Sequence, residues 1–205
     1  MRPMRRITLI TLVMLVSGII GKCVLAQDAS NYVELRGAGN EAGLYRYAEY
    51  NYTFRAGPMI DIVYLGVPGQ NELYLGAGYS LQPTRSLSVI PLLYAVVGKE
   101  RGQRGVSLGA FVLGNIQGWN LYSFLGYFEP TAGDVPRYLF LDSLDVSRKL
   151  KQWELGGSAG LFYTAGQWSS LVGPVLIHND SSGSWRFSIR GGSSVEVKLA
   201  RTFSF

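Results

Sequence analysis

Residues 193–205, SSVEVKLARTFSF, alternate between apolar and polar side chains up to the last residue. One face of this segment is formed by Val195, Val197, Leu199, Arg201, Phe203 and Phe205, of which only Arg201 is charged. A period of two is the pattern of a β-strand whose two faces meet different surroundings. Because chain ends fray unless something holds them, this strand predicts a neighbouring strand that pairs with it.

The same alternation recurs along the chain, most clearly in residues 71–82, NELYLGAGYSLQ. Short runs rich in Gly, Pro, Asn and Asp separate one such segment from the next. We predict strands at residues 32–38, 44–54, 59–67, 71–82, 86–97, 106–117, 119–128, 137–147, 153–164, 168–178, 185–190 and 195–205. The sequence therefore predicts an all-β fold of about twelve strands, with ten as the alternative, and no helix.

The N-terminal residues 1–26 have the layout of a secretory signal peptide. Three arginines precede an apolar run at residues 7–20, and small residues lead up to the expected cleavage site after Ala26. The run is shorter than the ~20 residues that a membrane-spanning helix needs. A lipoprotein signal is disfavoured because Lys22, rather than a small residue, precedes Cys23.

Cleavage at that site changes the charge of the chain. The full sequence has 19 basic and 14 acidic residues, and the peptide holds four of the basic residues and none of the acidic ones. The remaining 15 and 14 give a net charge of +1, which offers no electrostatic reason for a nucleic-acid partner. The only cysteine, Cys23, also leaves, so we predict a single disulfide-free domain at residues 27–205.

The length and the two unlike faces of the strands predict a membrane-spanning barrel. A transmembrane β-strand needs about 9–11 tilted residues, with lipid-facing and lumen-facing side chains in alternation. Every backbone polar group must be paired inside a bilayer, so such a sheet has to close on itself. We therefore predict a transmembrane antiparallel up-and-down β-barrel. The alternative, a soluble β-sandwich, predicts about seven shorter strands around a mostly apolar core.

The less apolar face of the predicted strands carries charges of both signs, which suits a hydrated lumen with cross-strand ion pairs. The candidate lumen-lining residues are Glu34, Arg36, Glu49, Asp61, Glu72, Glu154, Arg186, Arg190, Glu196 and Lys198. Aromatic residues near the strand ends, among them Tyr138 and the four tryptophans, are expected at the two membrane interfaces.

The signal peptide, the cysteine-free strands and the final VEVKLARTFSF resemble bacterial outer-membrane β-barrel proteins. In that class the last strand ends on Phe and is recognised by the barrel assembly machinery, which implies an assembly signal at Phe203 and Phe205. The resemblance implies residence in the bacterial outer membrane, with outer-membrane lipids and that machinery as partners and no nucleic acid. It leaves the oligomeric state open.

The resemblance also implies an orientation, with both termini on the periplasmic side. The external connections are then expected near residues 39–43, 67–71, 98–105, 128–136, 164–168 and 191–193. All of them are short, so none is predicted to fold inward as a plug.

Little catalytic or metal-binding chemistry remains after the predicted cleavage. The one histidine of that part, His178, precedes Asn179 and Asp180, and no serine motif with a partner acid stands at a suitable spacing. No loop has the ligand spacing of a calcium site, and no helix follows the Gly-rich segments. We predict no catalytic residue, no metal site and no cofactor, with a lipid-modifying enzyme as the remaining alternative.

Two functions fit such a barrel. The first is a narrow pore or transport module for small polar solutes, because twelve strands lie between small barrels filled by side chains and large porins with a water channel. The second is a non-conducting structural or interaction barrel, blocked by side chains such as Tyr45, Tyr47, Tyr74 and Phe111. The inward glycines and serines favour the pore.

Overall fold

The computed structural model describes residues 30–98 and 103–205, so the predicted signal peptide lies outside the described residues. Among the described residues, no helix is long and apolar enough to cross a membrane. The strands are β1 (Ser30–Asn40), β2 (Gly43–Thr53), β3 (Pro58–Val67), β4 (Gln70–Tyr79), β5 (Leu81–Thr84), β6 (Leu87–Gly98), β7 (Arg104–Ile116), β8 (Trp119–Ala132), β9 (Tyr138–Leu150), β10 (Trp153–Thr164), β11 (Gln167–Asp180), β12 (Gly183–Gly192) and β13 (Val195–Ser204).

The sheet closes into a ring of twelve antiparallel strands. The first strand pairs with the last, with Tyr32 opposite Ser204 and Gly39 opposite Val197. On the other side of the ring β4 pairs with both β3 and β6, and the short β5 pairs only with β6. The predicted twelve-stranded barrel is confirmed and the ten-stranded alternative is wrong. Because the barrel is closed, β13 has no free edge, which removes the fraying expected of a terminal strand.

The outer surface of the barrel is apolar and the inner surface holds most of the charges. Leu35, Leu75 and Leu155 point outward and are about half exposed, with 50%, 49% and 51% of their surface accessible. Their neighbours along the strands, Glu34 and Glu154, are buried inside. This arrangement is that of a barrel whose outer face lies against lipid.

The barrel has two ends, which we call the terminal end and the far end. The terminal end is where β1 begins and β13 ends, together with the turns at residues 54–57, 117–118, 151–152 and 181–182. The far end carries the turns at residues 41–42, 68–69, 133–137, 165–166 and 193–194 and the connection from β6 to β7. All six connections predicted to be external join strands at the far end.

Aromatic side chains mark both ends of the outer surface. Trp119, Trp153 and Trp185 are exposed near the terminal end, and Trp168 is exposed at the far end, as membrane-interface residues usually are. Tyr138 differs from the prediction, because it shares the inward register of Phe140 and stacks on a ring inside the barrel.

A break at Ser80 interrupts the fourth strand. The alternation of residues 71–82 predicts Leu81 on the same outer face as Leu75, but Leu81 is only 5% exposed. The regular strand ends at Tyr79, and the backbone N–H of Ser80 donates to the carbonyl of Gly57, one position beyond the last β3–β4 pair. The alternation of residues 71–82 therefore holds only as far as the break.

Candidate functional site in the barrel interior

A β-bulge on β9 places two neighbouring polar side chains inside the barrel. On β8, Leu125 and Phe124 face Leu141 and Ser143, so Asp142 between these two has no opposite residue. The ladder with β10 shifts its register at the same place. A bulge redirects side chains, and here it turns both Asp142 and Ser143 into the lumen.

Asp142 connects three cations that come from three other strands. Its Oδ2 accepts a hydrogen bond of 2.6 Å from Nη1 of Arg36 on β1. Its Oδ1 lies 3.3 Å from Nζ of Lys198 on β13, and its backbone carbonyl accepts a 2.6 Å hydrogen bond from Nη1 of Arg190 on β12. One bulged residue of β9 thus contacts three strands, none of which is a neighbour of β9 in the sheet.

Each of the three inward arginines Arg36, Arg186 and Arg190 is paired with a glutamate or aspartate other than Asp142. Arg36 donates to Glu34 at 2.6 Å, Arg190 donates to Glu196 at 2.5 Å, and Arg186 lies 3.3 Å from Asp145. We call these ionic residues of β1, β9, β12 and β13 the charged wall: Glu34, Arg36, Asp142, Asp145, Arg186, Arg190, Glu196 and Lys198. Most are buried, while Asp142 and Arg186 keep 23% and 16% of their side-chain surface accessible, and removal of one partner from a buried pair leaves an uncompensated charge.

The opposite side of the lumen is apolar. Inward aromatic residues of β4 and β6–β9 form what we call the aromatic wall: Tyr74, Tyr94, Phe111, Phe124, Phe128, Tyr138 and Phe140. Phe111 stacks on Phe124 with ring centroids 4.5 Å apart, and Phe128 stacks on Tyr138 at 4.8 Å. Aliphatic side chains such as Met59 and Leu92 fill the spaces between the rings. The inner face is therefore mostly charged on one side of the barrel and mostly apolar on the other, where Glu72 lies beside Tyr74.

Two carboxylates, Glu49 and Asp61, lie where the two walls meet. Glu49 accepts hydrogen bonds from the hydroxyls of Tyr32 and Tyr47, the latter at 2.5 Å. Asp61 accepts from the hydroxyl of Tyr94 at 2.5 Å and from the amide of Asn51 at 3.1 Å. These donors are neutral, so they stabilise the two carboxylates without cancelling a charge.

Glu154 lies apart from the other inward acids, toward the terminal end. It accepts hydrogen bonds from Asn120 at 2.8 Å, from Ser147 at 2.7 Å and from Asn179 at 2.9 Å. Lys149 is its partner across the ladder. The structure thus separates one acid near the terminal end from the group in the middle of the barrel.

A cavity of about 420 Å³ enters the barrel from the far end. Its lining reaches from Asn40 and Ser194 at that end down to Tyr94 and Asp142. Tyr45, Tyr47, Leu65, Tyr74, Tyr138, Phe140 and Phe162 form much of its surface. Toward the terminal end the described side chains close the lumen, because Glu49, Asn51, Asp61 and Asp145 are at most 2% exposed.

The structure places all ten candidate lumen-lining residues on the inner face. Four of them, Arg36, Glu72, Glu196 and Lys198, border the cavity. Glu34, Glu49, Asp61, Glu154, Arg186 and Arg190 are packed in the layers around and beneath it.

Sequence reasoning missed Asp142 as a lumen residue. The outward apolar residues of β9 are Leu139, Leu141, Leu144 and Val146, so the period of two slips by one at positions 142–143. That slip was the available signal for a bulge.

His178 and Arg201 both lie on the outer surface of the barrel. His178 lies against Trp153, with ring centroids 4.4 Å apart, in a small outer groove that Trp185 also lines. Arg201, the one charge on the outer face of β13, donates to Asp180 at 2.7 Å and lies over the rings of Trp185 and Phe203. Within the described chain, no three His, Cys, Asp or Glu side chains form a group that could hold a metal ion.

The barrel is similar to solved porin structures. A KdgM porin in complex with disordered oligogalacturonate superposes with a TM-score of 0.64 at 12% identity, covering 85% of this chain and 99% of that porin. A NanC porin gives a TM-score of 0.63 at 7% identity, covering 83% of this chain and 98% of the other. The chain has the fold of bacterial outer-membrane porins. Its sequence matches no protein-family model and no curated protein.

Proposed function

We propose that this protein is a narrow outer-membrane passage for small polar solutes, entered through the cavity at the far end. The observation that carries the proposal is the combination of a solute-sized cavity with polar and ionic groups beneath it. A barrel that served only as a rigid body would be expected to fill its interior with apolar side chains, because buried ion pairs add little net stability. The similarity of the fold to porin structures also supports a passage.

The proposed orientation places the far end outside the cell and the terminal end in the periplasm. Solutes would then meet the cavity first and the closed layer of Glu49, Asp61 and Tyr94 second. That layer consists of side chains held by hydrogen bonds, which rotamer changes can open without breaking the barrel. Phe203 and Phe205 remain the proposed assembly signal, and the proposed partners are outer-membrane lipids and the assembly machinery.

Single-channel recording in planar bilayers tests the passage. We expect a small conductance for the natural protein and a several-fold larger one for Tyr94→Ala, because Tyr94 is a large side chain at the bottom of the cavity and is only 2% exposed. The matched control is Tyr64→Ala on the neighbouring outer face, which should leave the conductance unchanged.

The same recording can refute the proposal. If both the natural barrel and Tyr94→Ala insert as folded, heat-modifiable proteins and neither conducts, the passage is wrong. The second candidate, a non-conducting structural barrel, then stands, and the full closure beneath the cavity is the observation that favours it.

A further inference from the structure

The cavity at the far end has an unusual lining for a passage that would admit any small solute. Aromatic rings surround it, contributed by Tyr45, Tyr47, Tyr74, Tyr138, Phe140 and Phe162. Its volume of about 420 Å³ falls in the range of small-molecule binding sites. Such rings offer apolar surface to an organic solute, and their faces carry the negative end of a quadrupole that attracts cations.

The charges in and beneath the cavity are unequal in number. The charged wall contributes four cations and four carboxylates, and Glu49, Asp61 and Glu72 add three more carboxylates. Among these described groups the acidic side chains outnumber the basic ones by seven to four. A pore lined by more acids than bases favours cations over anions.

The cations and the acidic groups differ in how they are paired. Arg36 is held between Glu34 and Asp142, and its positive charge is therefore fully compensated. Glu49 and Asp61 accept their hydrogen bonds from neutral tyrosine and asparagine groups rather than from a cation. A cation that enters the cavity also meets the carboxylate of Glu72 in its lining, where charges are screened less than in water.

We propose that the cavity is a binding site for small organic cations, in which an ammonium group on an apolar body lies among the tyrosine rings. This inference rests on the proposed function, because it names the class of solute that the passage takes. An inorganic cation would leave the aromatic surface unused. An organic anion would meet more acidic than basic side chains, and the cations among the described lining residues, Arg36 and Lys198, are already in ion pairs.

Equilibrium binding to the folded barrel in detergent tests the inference independently of conduction. The probe is benzyltrimethylammonium, compared by titration calorimetry with benzoate and with the neutral benzyl alcohol. We expect saturable binding of the ammonium probe and an affinity about thirtyfold lower for each comparison compound, which is the size of a desolvated cation–π contact. Equal or tighter binding of benzoate overturns the proposal.

Two matched substitutions locate the site. Glu72→Gln removes a carboxylate from the cavity lining and should weaken binding of the ammonium probe several-fold. Glu154→Gln makes the same chemical change at the terminal end, outside the cavity lining, and should leave binding unchanged. Heat-modifiable gel mobility confirms that both variants fold. Equal effects of the two changes would show that binding is not in this cavity and would overturn the assignment.

The bilayer recordings separate this proposal from the passage itself. A barrel that binds the ammonium probe but does not conduct keeps the site and loses the passage. A barrel that conducts, but whose reversal potential in a KCl gradient shows anion preference, keeps the passage and overturns the inference about cations.

Discussion

The two walls of the lumen are built by different physical means, although both arise from the same alternating strands. In the charged wall, the bulged Asp142 of β9 contacts Arg36, Arg190 and Lys198, whose strands are not neighbours of β9. In the aromatic wall, neighbouring rings stack and fill space. Ion pairs hold the side chains of the charged wall in place, and close packing holds the rings of the aromatic wall.

Glycines complete the aromatic wall by leaving room for the rings. A side-chain carbon at Gly76 would lie 2.5 Å from the Tyr94 ring, and one at Gly126 would lie 2.5 Å from the Phe140 ring. The inward glycines therefore do not widen an open lumen on this side. They admit large neighbours, which is why a face rich in glycine can still be closed.

The largest expected effect comes from the centre of the charged wall. Asp142→Ala removes the carboxylate shared by Arg36 and Lys198 and leaves buried cations with fewer partners, so we expect a loss of about 3–5 kcal/mol in the free energy of unfolding. Urea unfolding in lipid vesicles, followed by the heat-modifiable fraction on gels, measures it. Asp134→Ala in an exposed turn is the control and should change little. A loss under about 1 kcal/mol would mean that the wall does not depend on its bulged centre.

A smaller effect is expected from the aromatic wall. Gly126→Ala adds one carbon against the Phe140 ring, and overpacking of this kind costs about 1–3 kcal/mol. The control is Gly37→Ala, where an added carbon meets no atom within 4 Å. The same urea titration serves both variants. If Gly126→Ala is as stable as Gly37→Ala, the rings can move to admit the added carbon, and close packing does not determine the structure of the aromatic wall.

The barrel can be predicted from the sequence because it depends on a local feature, the alternation of apolar and polar residues along each strand. Strict alternation fixes which residues face lipid, and the ends of the strands follow from turn residues, so the twelve strands and the inward positions of Glu34, Glu72 and Arg190 could be read directly. The division of the lumen into two walls could not. Leu92 and Leu93 on β6 are both apolar, although one faces inward and the other outward, so alternation carries no signal there.

The contacts of Asp142 across the lumen could not be predicted for a different reason. A bulge shifts the alternation by one residue, and a single slip in an apolar run is easily taken for an irregular strand. The partners of Asp142 are about 50 to 100 positions away in the chain, and only ring closure brings them together. Local patterns thus identify the inner face, while contacts across the lumen depend on the closed barrel.

The smallest expected effect concerns a paired cation outside the barrel, which sharpens the contrast with the cations inside. Arg201 donates to Asp180 at 2.7 Å and to Ser182 at 2.5 Å, close to the terminal end, where interface water is near. An arginine near the membrane interface costs only about 0–1 kcal/mol, so Arg201→Gln should change the free energy of unfolding by no more than about 1 kcal/mol. The urea titration used for Asp142→Ala provides the comparison. A loss as large as that of Asp142→Ala would mean that the outer pair is as poorly hydrated as the charged wall, and that depth in the membrane, rather than position inside the lumen, decides the strength of these ion pairs.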